Sequence, residues 1–175
     1  MKTIDRARRA PDMGHSGERL VEDRKFKPKE REQAGTRICQ RCGAVGLQKH
    51  WFADKRMADK LAIDPLVHYV VCPGCKRIEN KVYEGEVHLE SPLLMKNKEM
   101  VYGTIYHTAA RAFHDNPLAR VAHIQEKDDQ IYMLTTTKSL AERLGKAIHR
   151  AFKGELKIKP SPGEQYVIVR WFRQE

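Results

Sequence analysis

Past residue 93 the apolar positions change period several times, and each change marks an element. Leu94, Val101, Ile105 and Ala112, with Thr108 between them, recur at helical spacing. They predict one helix over residues 93–114, stopped at Asn116-Pro117. Residues 120–125 and 130–136 read as two strands around a Lys127-Asp128-Asp129 turn. Ser139 and Glu142 stand at capping-box spacing. The helix they open carries Leu140, Leu144, Ala147, Ile148 and Ala151 on one face. It stops at Gly154, the residue a left-handed C-cap prefers. Strands near 155–159 and 165–172 flank Pro160-Ser161-Pro162-Gly163. The order α-β-β-α-β-β predicts a four-stranded sheet with helices on one face, an α+β domain over residues 91–175.

Upstream the pattern is weaker. Arg37 and Ile38 read as a short strand entering a turn. Residues 50–61 have helical composition, with Trp51, Met57 and Leu61 turned inward and Pro65 as the stop. Residues 67–71 are β-rich. Residues 82–89 alternate, with Tyr83, Val87 and Leu89 on one face and Glu84, Glu86 and His88 on the other. Gly85 within that run suggests a bulge. These segments are assigned to a module over residues 37–90. Residues 1–36 are poor in apolar residues and interrupted by Gly14, Gly17, Pro28 and Gly35, so a disordered basic tail is expected.

So polar a module needs something else to hold it. The chain has four cysteines, in two pairs of equal spacing: Cys39-Gln-Arg-Cys42 and Cys72-Pro-Gly-Cys75. Each pair can aim two sulfurs at one point, and two pairs complete a four-thiolate shell. The expectation is a zinc ribbon with one structural Zn2+ on Cys39, Cys42, Cys72 and Cys75. The alternatives are four unconnected thiols, or two disulfides, which need an oxidising compartment. Residues 1–10 are charged and no apolar run follows, so a cytoplasmic protein without a membrane partner is expected. Residues 43–71 between the pairs outnumber the roughly 15–20 of a usual ribbon loop, so that loop must carry structure of its own. His50 or His68 could replace a cysteine, but four thiols already fill the shell. A closed shell predicts a structural role.

Charge narrows the partner. The chain has 33 basic and 23 acidic residues, a net +10. Residues 1–83 hold 19 Lys and Arg against 11 Asp and Glu, and the remainder 14 against 12. A basic half beside a near-neutral half points to a polyanion. The candidate RNA contacts are Arg41, Lys49, Lys55, Arg56, Lys76, Arg77 and Lys81, and His50, Trp51 and Phe52 could stack on an unpaired base. Trp51 and Phe52 could equally form the module's small core. His107 and His114, seven apart, have no carboxylate at metal-site spacing. Thr135-Thr136-Thr137 reads as a strand end followed by a helix cap. Tyr132, Tyr166, Trp171 and Phe172 could line an exposed sheet face or pack in the core. No phosphate loop, G-x-S-x-G or H-E-x-x-H is present in the sequence, and a binder, not an enzyme, is expected.

The stretches ICQRCGAVGLQKHWF, CPGCKRIENKVYEGEVHLE, NPLARVAHIQEKDDQIYMLTTTKSLAERLGKAIHRAFKGELKI and VIVRWFR resemble a known group. It is the small bacterial zinc-ribbon proteins called NMD proteins affecting ribosome stability and mRNA decay. That group is similar to the N-terminal part of the adaptor that escorts the large ribosomal subunit to nuclear export. The resemblance covers about Arg37 to Arg173 and does not extend to the adaptor's further domains. It implies a ribosome- or ribosomal-RNA-associated factor with zinc on the four cysteines. The expectation is an rRNA-binding protein, the large subunit favoured, whose α+β unit occupies a second surface or meets a ribosomal protein. Occupying a functional site would suit ribosome dormancy, protection or quality control. The alternative is a DNA-binding or transcription-associated zinc ribbon. A nuclease would need clustered carboxylates, and the only adjacent pair in the α+β unit, Asp128 and Asp129, sits in an expected hairpin turn.

Overall fold

The computed structural model describes residues 35–161 and 166–174. Most of the expected basic tail, residues 1–34, lies outside the described residues, as does the Pro162-Gly163 part of the last turn. The described residues fall within one compact unit.

The first sheet has four strands of three residues each. β1 (Arg37–Cys39), β2 (Val45–Leu47), β3 (His50–Phe52) and β4 (His68–Val70) lie in the order β3-β2-β1-β4. β1 runs parallel to β4 and antiparallel to β2. The helix expected over residues 50–61 is shorter. His50, Trp51 and Phe52 belong to β3, and α1 (Lys55–Leu61) starts after Asp54, whose carboxylate accepts from the Met57 amide at 2.9 Å. A second helix, α2 (Pro73–Glu79), follows the second cysteine pair and was not expected. Pro73 stands in its first turn, where a missing N–H costs nothing.

The second sheet corrects two expectations. β5 (Gly85–Glu90) was assigned to the cysteine module, yet it is the central strand here. The sheet therefore has five strands, not four. After β5 come the short helix α3 (Leu93–Lys96) and then α4 (Lys98–Asp115). The single helix expected over 93–114 is broken at Asn97, whose side-chain amide donates to the Leu93 carbonyl at 3.1 Å. β6 (Val121–Lys127) and β7 (Gln130–Thr135) form the expected hairpin, with Asp128 at φ 51 in its turn. α5 (Lys138–Phe152), β8 (Glu155–Pro160) and β9 (Val167–Phe172) complete the chain in the order β6-β7-β5-β9-β8. β5 pairs parallel with β9 and antiparallel with β7 over its whole length. It therefore has no bulge, and Gly85 instead admits Ala141 of α5, which a Cβ would meet at 2.7 Å.

Thr137, not Ser139, caps α5, because the three threonines hold the strand end in place. Thr135 Oγ1 shares its proton between the Thr137 carbonyl at 3.0 Å and the Gly85 carbonyl at 3.2 Å, and Thr136 Oγ1 donates to the Leu118 carbonyl at 2.5 Å. Thr137 is then extended and its hydroxyl accepts from the Leu140 amide at 3.4 Å. The buried face of α5 is Leu140, Ala141, Leu144, Gly145, Ile148 and Phe152; Ala147 is half-buried and Ala151 exposed, against expectation. These residues meet Val87, Leu89, Ile131, Met133, Val169 and Trp171 of the sheet and Val101 and Ile105 of α4 in one core. Burial of each large side chain contributes about 1.5–3 kcal/mol. Lys153 and Gly154 take positive φ at the end of α5, as the Gly154 stop implied.

Candidate metal centre

Both cysteine pairs sit where the backbone turns sharply. In the first, the Cys39 amide donates to the Ala44 carbonyl at 2.8 Å and the Gly43 amide to the Cys39 carbonyl at 2.9 Å. Gly43 closes this turn at φ +70, a conformation other residues adopt only under strain. In the second, Cys72 is the N-cap of α2, and its sulfur accepts from the Cys75 amide at 3.4 Å. The Cys72 amide in turn donates to Cys39 Sγ at 3.3 Å, so backbone of one pair already points at sulfur of the other.

The four sulfurs lie within 4.8 Å of one another, with Cys39–Cys75 at 3.8 Å and Cys42–Cys72 at 3.6 Å. Metal–sulfur bonds of about 2.3 Å in a tetrahedron place sulfurs about 3.8 Å apart. The cluster could therefore hold one metal ion with little rearrangement. The cysteines are free thiols, with no disulfide among them. Without metal they do not titrate alike. The hydrogen bond shared with Cys42 pulls the Cys72 thiol down against the upward push of burial, with the Cys75 amide adding to the lowering. The same thiol–thiol hydrogen bond and then burial raise Cys42, and burial pushes Cys75 up to about 11.

Two neighbours come from outside the module, and no sequence signal pointed to them. Phe113 of α4 packs against the cysteine cluster, alongside Trp51 and Val71. The Arg120 guanidinium lies over the Phe113 ring, 3.7 Å from its centroid, and its Nε donates to the Pro117 carbonyl at 3.1 Å. Its positive charge pulls the Cys42 thiol downward against the larger upward pushes. Arg120 Nη2 is buried without a hydrogen-bond partner. A metal held by four thiolates carries excess negative charge, which an unspent buried guanidinium donor suits.

Of the basic residues singled out in the sequence, Lys49, Lys55, Arg56, Lys76 and Lys81 are exposed and have no ionic partner among the described residues. Arg41 is exposed but pairs with Glu79. Arg77 is half-buried and spends its guanidinium inside the fold, on Glu84 at 2.6 Å and the Thr136 carbonyl at 2.7 Å. His50 is exposed. Trp51 is half-buried against the cluster with Arg37 over its ring, which is the core role; Phe52 is exposed. Trp171 is a core residue, whereas Tyr132 and Tyr166 both donate to Glu86 on the opposite sheet face, at 3.4 and 3.1 Å. Burial first, then the Glu86 charge, pushes the Tyr166 hydroxyl up to about 12. His107 and His114 are exposed on α4 and join no metal-ligand cluster among the described residues. His68 and His50 are likewise outside the cysteine cluster. Among the described residues, no helix is long and apolar enough to cross a membrane.

Compared with protein families, characterised proteins and solved structures, the chain has no match.

Proposed function

We propose that this chain is a zinc-dependent RNA-binding protein that acts on the ribosome, with ribosomal RNA of the large subunit as its main partner. Zn2+ is the ion assigned to Cys39, Cys42, Cys72 and Cys75, because four thiolates in a closed tetrahedral shell suit a structural zinc. Its role is to hold the cysteine module rigid, so that basic side chains lose little freedom on meeting phosphate. Lys49, Lys55, Arg56, Lys76 and Lys81 carry that contact, and Arg41 joins by exchanging Glu79 for phosphate. The observation that carries the reading is the meeting of the four sulfurs within a module where Lys49, Lys55, Arg56, Lys76 and Lys81 are exposed without an ionic partner among the described residues.

The ribosome as partner rests on the motifs around the cysteines and in residues 116–158. Occupying a functional site there would make the protein a dormancy, protection or quality-control factor. Sucrose gradients of cell lysate test this directly. The protein is expected to sediment with ribosomal particles at low salt and to leave them steeply as salt rises. Sedimentation only in the free fractions at low salt would reject the ribosome. Preference for duplex DNA over structured RNA in competition binding would favour a transcription-associated role instead.

A further inference from the structure

The cysteine module is not the only cationic surface. α4 and α5 pack side by side, and on their solvent side they leave an open groove of about 760 Å³. His107 and Arg111 line it from α4, and Arg143, Lys146 and Arg150 from α5. No acidic residue lines it. The spacing explains the two stripes. His107 and Arg111 are one turn apart, and so are Arg143, Lys146 and Arg150 in succession, so each set shares a helix face. The floor stays low because Gly103, Ala147 and Ala151 offer little side chain.

Arg143 is shared with Asp115 at 2.9 Å and Lys146 with Glu142 at 3.4 Å, pairs exposed enough to exchange cheaply. Arg111 and Arg150 are exposed and have no ionic partner among the described residues. Two cationic walls around a shallow floor fit a convex anionic ridge, which is the shape of a nucleic-acid backbone. A membrane surface fits poorly, since the large apolar lining is limited to Met100 and the buried Phe152. A pair of packed helices, each about 10 Å across, is also too broad for the roughly 12 Å major groove of DNA.

One hydroxyl distinguishes RNA. Thr104 lines the groove, and its Oγ1 donates to the Met100 carbonyl of its own helix at 2.8 Å. Its proton is therefore spent and its oxygen is left as an acceptor. A ribose 2′-hydroxyl can donate to it; a deoxyribose cannot. We infer that the α4–α5 groove is a second RNA site, seating a phosphate–ribose backbone between Arg111 and Arg150 with Thr104 accepting from a 2′-hydroxyl. The inference deepens the proposed function and rests on it for the identity of the partner.

The test uses the full chain with its metal, a labelled RNA hairpin and the DNA hairpin of the same sequence, titrated by fluorescence anisotropy from about 50 to 200 mM salt. Three variants are compared with the parent: Arg111→Ala with Arg150→Ala, Thr104→Val, and Lys55→Ala with Arg56→Ala. The Arg111/Arg150 pair is expected to weaken RNA binding about tenfold or more at low salt, and to reduce the slope of log K against log salt by about 1.4–1.8. Thr104→Val is expected to shrink the preference for RNA over DNA while leaving that slope unchanged. Unaltered melting curves of the variants would show that the fold is intact. If the Arg111/Arg150 variant keeps parental affinity and slope while Lys55/Arg56 loses both, the groove is not an RNA site and the proposed function stands. If the parent binds neither hairpin at low salt, both ideas fail. Equal parental affinity for RNA and DNA, or displacement of RNA by a polyglutamate peptide at matching charge concentration, overturns RNA as the occupant.

Discussion

Gly74 lies so close to Pro117 that a Cβ added to it would stand 2.6 Å from the Pro117 carbonyl oxygen and 3.2 Å from Leu118 Cα. Gly74 is in the second cysteine pair, and Pro117 follows α4. The contact seats the first turn of α2 directly on the segment that links α4 to β6. The same segment carries Arg120, whose Nε is held by the Pro117 carbonyl. The cysteine cluster and the larger sheet domain therefore meet through backbone, where no side-chain adjustment can relieve a clash.

Gly74→Ala should accordingly destabilise the protein by about 1–3 kcal/mol, the usual cost of forcing extra atoms into a packed contact. For a chain of this size that lowers the melting temperature by roughly 2–12 °C. Thermal melting checks it. Metal content should stay at one ion per chain, because the four sulfurs are not touched.

Cys72→Ser removes one of the four candidate thiolate ligands while leaving a hydroxyl able to cap α2. The expected outcome is loss of stoichiometric metal and a lower, broader thermal transition. Structural zinc sites contribute on the order of 10 kcal/mol in small peptides, so a strong chelator should move the parent protein in the same direction. Elemental analysis and melting with and without chelator measure both. A variant that retained one ion per chain and melted like the parent would remove the four-sulfur site from consideration.

Arg120→Met keeps the packing on Phe113 but deletes the charge beside the sulfurs. Losing a partner of this kind around a metal typically costs about 10–100-fold in affinity. Competition with a chromogenic chelator should show a drop of that size. Arg120→Lys should recover only part of it, because an ammonium cannot stack on the Phe113 ring as a planar guanidinium does.

The cap of α5 offers a direct comparison. Thr137→Ala should cost about 1 kcal/mol through the lost hydrogen bond to the Leu140 amide. Ser139→Ala should change little, since Ser139 is exposed within the first turn of α5. Urea unfolding distinguishes them as a lower midpoint, at unchanged slope, for the first variant alone.

The Thr137–Ser139 contrast shows where a sequence reading stops. The amphipathic face of α5 was legible because Leu140, Leu144 and Ile148 are separated by whole turns. Which residue caps the helix depended on Thr135 and Thr136 being tied to Gly85 and Leu118, residues distant in the chain. The strands β2 and β3 were not legible for a simpler reason. Three residues are too few to display a period, and His50-Trp51-Phe52 became strand by pairing with residues 45–47. β5 was recognised as a strand but given to the wrong sheet, since alternation tells which face is apolar and says nothing about the neighbours.

The division follows from the range of the interactions. Cysteine spacing, the Asp128-Asp129 turn and the Gly154 stop act within a few residues, so the bare chain determined the two thiol pairs and most of the larger domain's elements. Which strands lie side by side, the seating of Gly74 on Pro117, the packing of Phe113 against the cysteine cluster and the facing of Arg111 and Arg150 across a groove join segments tens of residues apart. Those relationships depend on how whole elements pack against one another, and only the folded arrangement decided them.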